Sequence, residues 1–204
     1  MHFRNRGGPP GVTSARTVNE AQAIALARNG DHGAFAWLIS TYKHMVHTAC
    51  YRILRHREEA EEATQDSFVK AYQNLGSYKG GSKFSTWLFS IAYRTAISQL
   101  RKRRDGISTL DDLSAGQEPS EGASAAVETS DRTAALNKAL ARLPAEDAAI
   151  VSFFYLEEMS VEEIVTVTGL GASNVKVKLH RSRKRLLEIL QDELKEEAWT
   201  LIAD

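Results

Sequence analysis

Residues 176–185 carry six Lys or Arg and no acid, a density suited to a phosphate backbone. Cations that neutralise phosphates release counterions, and a helix presenting them can enter a major groove. With Val175 at zero and about 100° per residue, Leu179, Ser182, Leu186, Ile189 and Leu190 fall on one packed side. Ser173, Val177, His180, Arg181 and Lys184 point away from it, flanked by Asn174, Lys176, Lys178 and Arg183. The N-terminal end of such a helix meets base edges, which selects Ser173, Asn174, Val177, Lys178 and Arg181. Lys176, Arg183 and Lys184 are better placed for phosphates. A solvated surface helix has the same composition; the capped helix and glycine turn just upstream favour duplex DNA.

Residues 79–104 hold a different mixture: small flexible residues, hydroxyls, the aromatics Phe84, Trp87, Phe89 and Tyr93, and a basic end, Arg101-Lys102-Arg103-Arg104. Unpaired nucleic acid asks for this, because bases stack on aromatic platforms for about 1–3 kcal/mol each while cations follow the backbone. Trp87, Leu88 and Ile91 at helical spacing fit a core equally well. A third group, Glu58, Glu59, Glu61, Glu62 and Asp66 ahead of Phe68, Lys70 and Tyr72, suits either a basic protein surface or a solvated face. His44, His47 and Cys50 fan across about 120° of helix with no fourth ligand, so no metal site is expected. No phosphate-cradling glycine loop, carboxylate pair or nucleophile with its base is present, and neither an enzyme nor a cofactor is expected.

These side chains need helices to hold them. Residues 34–75, 82–105 and 145–168 contain neither glycine nor proline, and Phe35, Leu38, Ile39, Tyr42, Val46, Ala49 and Ile53 recur at the steps of one buried helical face. Phe84, Trp87, Leu88, Ile91, Ala92 and Thr95 resume that spacing after the loop 76–82. Pro144 reads as a first helical residue, followed by Glu146 and Asp147 in the first turn. Ser160-Val161-Glu162-Glu163 is a capping box, and Thr168-Gly169-Leu170-Gly171 breaks the chain before a helix from about Ala172. Helix, short turn, helix is the outline of a helix-turn-helix. The expected fold is all-α: a disordered basic tail (1–19), a helical domain (20–104), a flexible acidic linker (105–131) and a helix-turn-helix domain (132–204). The 27 linker residues reach ~90 Å extended and roughly 30 Å as a coil.

Composition sets the outer limits. The chain has 204 residues, 43% apolar and 25% charged, with one cysteine, Cys50, so no internal disulfide forms. Its formal net charge is zero, yet charge is sorted: residues 1–19 hold three bases and no acid, and residues 105–131 hold seven acids and no base. The longest nearly apolar run, 148–156, is too short to span a bilayer. The tail carries Arg4, Arg6 and Arg16 without the apolar core of a signal peptide. A soluble, cytoplasmic protein is expected.

With those residues in view, the chain resembles bacterial RNA polymerase sigma factors of the extracytoplasmic-function type (group 4 of the sigma-70 family), from about residue 31 to residue 190. Residues 58–72, with Gln65, Asp66, Phe68 and Tyr72, resemble region 2.2. Phe84-Ser85-Thr86-Trp87-Leu88 with Ile91-Ala92 resembles regions 2.3 to 2.4. Leu143-Pro144, the Ser160-capped helix and residues 174–183 resemble region 4. The resemblance implies that Glu62, Gln65, Asp66, Phe68, Lys70 and Tyr72 bind core polymerase at the β′ clamp helices, with the β flap a further contact. It implies that Lys79, Ser82, Lys83, Phe84, Ser85, Thr86, Trp87, Arg94 and Arg101 capture flipped bases of a melted minus-ten element. Ser173, Asn174, Lys176, Val177, Lys178, Arg181, Arg183 and Lys184 would read a duplex minus-thirty-five element. It also implies an anti-sigma factor as partner, and an acidic linker that stands in for RNA in the polymerase channel. The sequence departs from the pattern at Gly171 (usually serine), Ala63 (often a larger aliphatic), Arg94 (often Asn) and Ser98 (often Asp).

The function expected is promoter selection and help with melting, without catalysis. A stand-alone helix-turn-helix regulator would not need the region 2.2-like face, and a helical interaction adaptor would leave the basic helix merely solvated.

Overall fold

Capping chemistry decides where the helices start. The computed structural model describes residues 19–108 and 131–202, and every regular element among them is helical. Asn19 and Gln22 form a reciprocal capping box at α1 (Glu20–Arg28), a boundary that apolar periodicity does not predict. Asp31 accepts the Ala34 amide at 2.9 Å at the start of α2 (His32–Leu54). The stretch 34–75 then breaks, because α3 spans Arg57–Asn74 and is capped by the His56 ring. Arg55 carries the break. It takes φ +54, a left-handed conformation rare outside glycine, and its guanidinium donates to the Leu143 carbonyl.

A 3-10 turn (Leu75–Ser77) and a loop lead to α4 (Phe84–Ser108). Then come α5 (Asp131–Ala141), α6 (Ala145–Tyr155), α7 (Val161–Thr168) and α8 (Ala172–Ile202). Pro144 is the cap of α6 rather than its first residue, since ψ 142 keeps it extended. Of the expected tail and linker, residues 1–18 and 109–130 lie outside the described residues.

The chain divides into two compact units with the boundary inside α2, the first ending at Leu38. The first unit buries Ala23, Ile24, Ala27, Ala34, Phe35 and Leu38. In the second, Tyr42, Val46, Ala49 and Ile53 are buried, as the period predicts. There α4 lies against both α3 and α7, while α8 packs on α5, α6 and α7. The helices on the two sides of the linker therefore belong to one unit.

Cys50 is fully buried, and burial pushes its thiol up to about 11 against the weaker pull of the Thr64 and Ser67 hydroxyls. A thiolate is the reactive species. The expected outcome is that an aromatic disulfide reagent at pH 8 leaves the folded chain unlabelled and modifies Cys50 fully in denaturant; rapid labelling of native protein would contradict its burial.

Candidate nucleic-acid interface

Ser160 Oγ accepts the Glu163 amide at 3.1 Å, and Glu163 Oε2 accepts the Ser160 amide at 2.9 Å, so the capping box fixes the start of α7. Gly169 ends it at φ +75, its amide donating to the Val165 carbonyl at 2.8 Å. That left-handed cap suits glycine, which has no Cβ to clash. In α8, Val175, Leu179, Ser182, Leu186 and Ile189 are buried. Ser173, Asn174, Lys176, Val177, Arg181, Arg183 and Lys184 are thereby exposed.

Lys178, expected at base edges, instead turns back onto α6. Its ammonium lies 2.7 Å from Asp147 Oδ1 and 3.6 Å from Glu146 Oε2. Burial works to lower its pKa, but the hydrogen bond and charge of Asp147, with Glu146 behind it, win and raise it. Arg185 is likewise engaged, 3.6 Å from Glu188. Lys176, Arg181, Arg183 and Lys184 form no ion pair with another described residue, which leaves their charge available to phosphates.

On α4, Phe84 is a core residue rather than a base platform. It is 1% exposed, and its ring centroid lies 5.4–5.5 Å from those of Tyr42, Tyr78 and Trp87. Tyr78 also donates through its hydroxyl to the Ser82 carbonyl at 2.7 Å, so the aromatic cluster shapes the loop. Lys79, Ser82 and Ser85 stay partly or fully accessible. Half-buried Trp87 borders a cleft of about 520 Å³ with Lys70, Asn74, Ile91 and Arg94. Lys70 Nζ donates to Thr95 Oγ1 at 3.1 Å, and Arg94 is braced by 2.7 Å bonds to the Ser90 carbonyl and hydroxyl. An indole face, an amide with donor and acceptor, and two cations are what an extruded base and its phosphate require. The sequence places Lys70 with the protein-binding group; the fold places it in this cleft. The signal available was its four-residue step to Asn74, which puts both on one side of α3.

The outer face of α3 presents Glu62, Gln65 and, half-buried, Asp66. Tyr72 is 39% exposed at its edge, and Val69, absent from the expectations, is 55% exposed among the acids. Phe68 is 7% exposed, so it anchors the helix rather than offering surface.

Three residues expected at the melted strand touch the helix-turn-helix. Lys83 Nζ lies 3.1 Å from Glu163 Oε1, Thr86 Oγ1 donates to the same oxygen at 3.3 Å, and Arg101 lies 3.9 Å from Glu146. Beneath them Phe153 packs on Phe89 and Tyr93, with centroids 5.5 and 6.2 Å apart.

Both ends of this arrangement match known families. Sigma-70 region 2 matches residues 38–105, and Sigma-70, region 4, matches residues 133–186. The RNA polymerase sigma factor YlaC of Bacillus subtilis is 30% identical over 155 residues, covering 72% of this chain and 86% of its own. The ECF RNA polymerase sigma factor SigW of the same organism is 29% identical over 181 residues, covering 83% and 95%. The chain belongs to the extracytoplasmic-function sigma factors. In fold, this sigma factor is similar to CnrH, solved with the cytosolic domain of CnrY (TM-score 0.60, 20% identity, 83% of this chain and 96% of that one). It is also similar to the sigma factor RpoE of Bartonella quintana, solved with the anti-sigma factor NepR (TM-score 0.60, 23% identity, 77% and 96%).

A sigma factor directs core RNA polymerase to promoters and performs no catalysis; core polymerase and promoter DNA are accordingly the partners of this one. The region 2 match contains α3 and nearly all of α4, and the region 4 match contains α7 and the exposed cations of α8. Neither the stand-alone regulator nor the adaptor accounts for both. Among the described residues, no helix is long and apolar enough to cross a membrane.

Proposed function

We propose that this sigma factor divides promoter reading between two surfaces. Ser173, Asn174, Val177 and Arg181 meet base edges of a duplex minus-thirty-five element, while Lys176, Arg183 and Lys184 grip its phosphates. Lys79, Ser82, Lys83, Ser85, Thr86, Trp87, Arg94 and Arg101, joined by Lys70 and Asn74, hold the melted minus-ten strand. Glu62, Gln65, Asp66, Val69 and Tyr72 dock on the β′ clamp helices. The apolar hollow beside Phe154, Tyr155 and Val161 takes the β flap. The protein works in the cytoplasm under an anti-sigma factor, in line with the partners of its two structural neighbours.

The exposed cations of α8, free of ion pairs within the described chain, carry the duplex assignment. Transcription reconstituted with core polymerase on genomic templates tests it. Arg181→Ala should cost about 1–3 kcal/mol, a ~5- to ~150-fold loss, concentrated at particular base positions. A loss spread evenly over all promoter sequences would remove Arg181 from the groove.

A further inference from the structure

Arg94 is an exposed cation whose orientation is fixed. Its Nε and Nη2 both donate to one residue at 2.7 Å, the first to the Ser90 carbonyl and the second to the Ser90 hydroxyl. Ser90 is 3% exposed, and its hydroxyl donates in turn to the Trp87 carbonyl at 2.7 Å. The arginine is therefore folded back along α4 by about one turn, ~5 Å, towards the indole. These bonds consume the side edge of the guanidinium. Its end edge, one Nη1–H beside one Nη2–H, stays open, and Arg94 forms no ion pair with another described residue.

The rest of the cleft does not compete for that edge. Lys70, Asn74, Ser77, Ile91, Thr95 and Ser98 complete its walls, with no carboxylate among them. Asn74 Nδ2 donates to the Lys70 carbonyl at 2.8 Å, which turns Oδ1 into the acceptor of the site, while Lys70 spends one of its three donors on Thr95.

Two parallel N–H donors call for two adjacent acceptors, a carbonyl oxygen beside a ring nitrogen. Guanine carries that edge as O6 and N7, and unpaired cytosine carries it as O2 and N3. Adenine sets an amino group beside both N1 and N7, and thymine sets N3–H between its two carbonyls. Either would turn a donor towards the guanidinium and leave a polar group unpaired.

We infer that Arg94 is the specificity-determining residue of the cleft, selecting an extruded guanine or cytosine against adenine and thymine, and that Ser90 is its positioning residue. The base stacks on Trp87 and is read by a fork already aimed before it arrives, so little ordering is left for binding to offset.

This rests on the assignment of the cleft to the melted strand. The test uses holoenzyme reconstituted from the full-length chain and core polymerase. Its probe is a promoter recovered from genomic templates, remade as a duplex whose minus-ten segment is a randomised single strand; bound molecules are recovered and sequenced. The wild type should enrich guanine or cytosine by about fivefold or more at one position, and the enriched base says which of the two the cleft takes. Arg94→Asn, which replaces the fork by one donor and one acceptor, should abolish that enrichment, and Ser90→Ala should weaken it at the same position. Trp87→Ala should lower the binding of all sequences alike without reordering them. The matching deaza base, 7-deazaguanine or 3-deazacytosine, removes only the ring nitrogen; it should cost the wild type about fivefold and Arg94→Asn nothing. An Arg94→Asn profile identical to wild type, or a deaza base bound as well as its parent, would overturn the inference; if Trp87→Ala still weakens every sequence, the strand assignment stands. If Trp87→Ala and Arg94→Asn both leave strand binding untouched, that assignment falls and the inference with it.

Discussion

Phe153→Ala lowers the stability of the folded chain by about 3–5 kcal/mol. The side chain is 1% exposed, and it meets Phe89 and Tyr93 edge-on at 5.5 and 6.2 Å, so truncation opens a cavity and removes two aromatic contacts at once. Such contacts add about 0.5–1.5 kcal/mol beyond area burial. Against a typical total of about 5–15 kcal/mol, about a fifth or more of the folding free energy is at stake. Urea unfolding followed by helical circular dichroism reads it directly. Phe154→Ala, at a half-exposed neighbour, should cost clearly less. A loss below about 1 kcal/mol at Phe153 would mean that the two modules do not share this core in solution.

The second large effect is electrostatic. Replacing Lys176, Arg183 and Lys184 together by alanine should flatten the dependence of log K on log salt by roughly 2–3, because each phosphate contact contributes about 0.9 to that slope. Affinity should fall by orders of magnitude at low salt and less at high salt, while the ranking of promoter sequences stays unchanged. Anisotropy of a labelled promoter duplex with reconstituted holoenzyme, taken from about 50 to 200 mM salt, measures both. An altered ranking with an unchanged slope would reverse the division between base and phosphate contacts. Lys178→Ala, by contrast, should leave the slope nearly intact and reduce stability, since its ammonium is spent on Asp147 and Glu146.

The elements that announce themselves locally were legible in the sequence. Ser160 with Glu163, Gly169, and the buried seam from Val175 to Ile189 follow from capping, backbone freedom and helical period, all short-range rules. The break at Arg55 was not, because a left-handed arginine is stabilised by a carbonyl 88 residues away, and no local pattern encodes that partner. The same reason hid the commitment of Lys178 to Asp147 and the membership of Lys70 in the α3–α4 cleft. Composition marked Phe84 and Phe68 as aromatic residues near the working surfaces; only packing shows them facing inward. The exposure of Val69 has no signature in the sequence, because an isolated valine carries no periodic signal.

The Lys178 brace bears on specificity engineering. Its neighbour Val177 points outward, so the side chains that would choose bases and the strut that sets the helix's tilt alternate along one short segment. Transplanting a reading segment from another family member therefore carries a hidden dependency: unless Lys178 and Asp147 travel as a matched set, the graft arrives with its letters correct and its angle of approach unset.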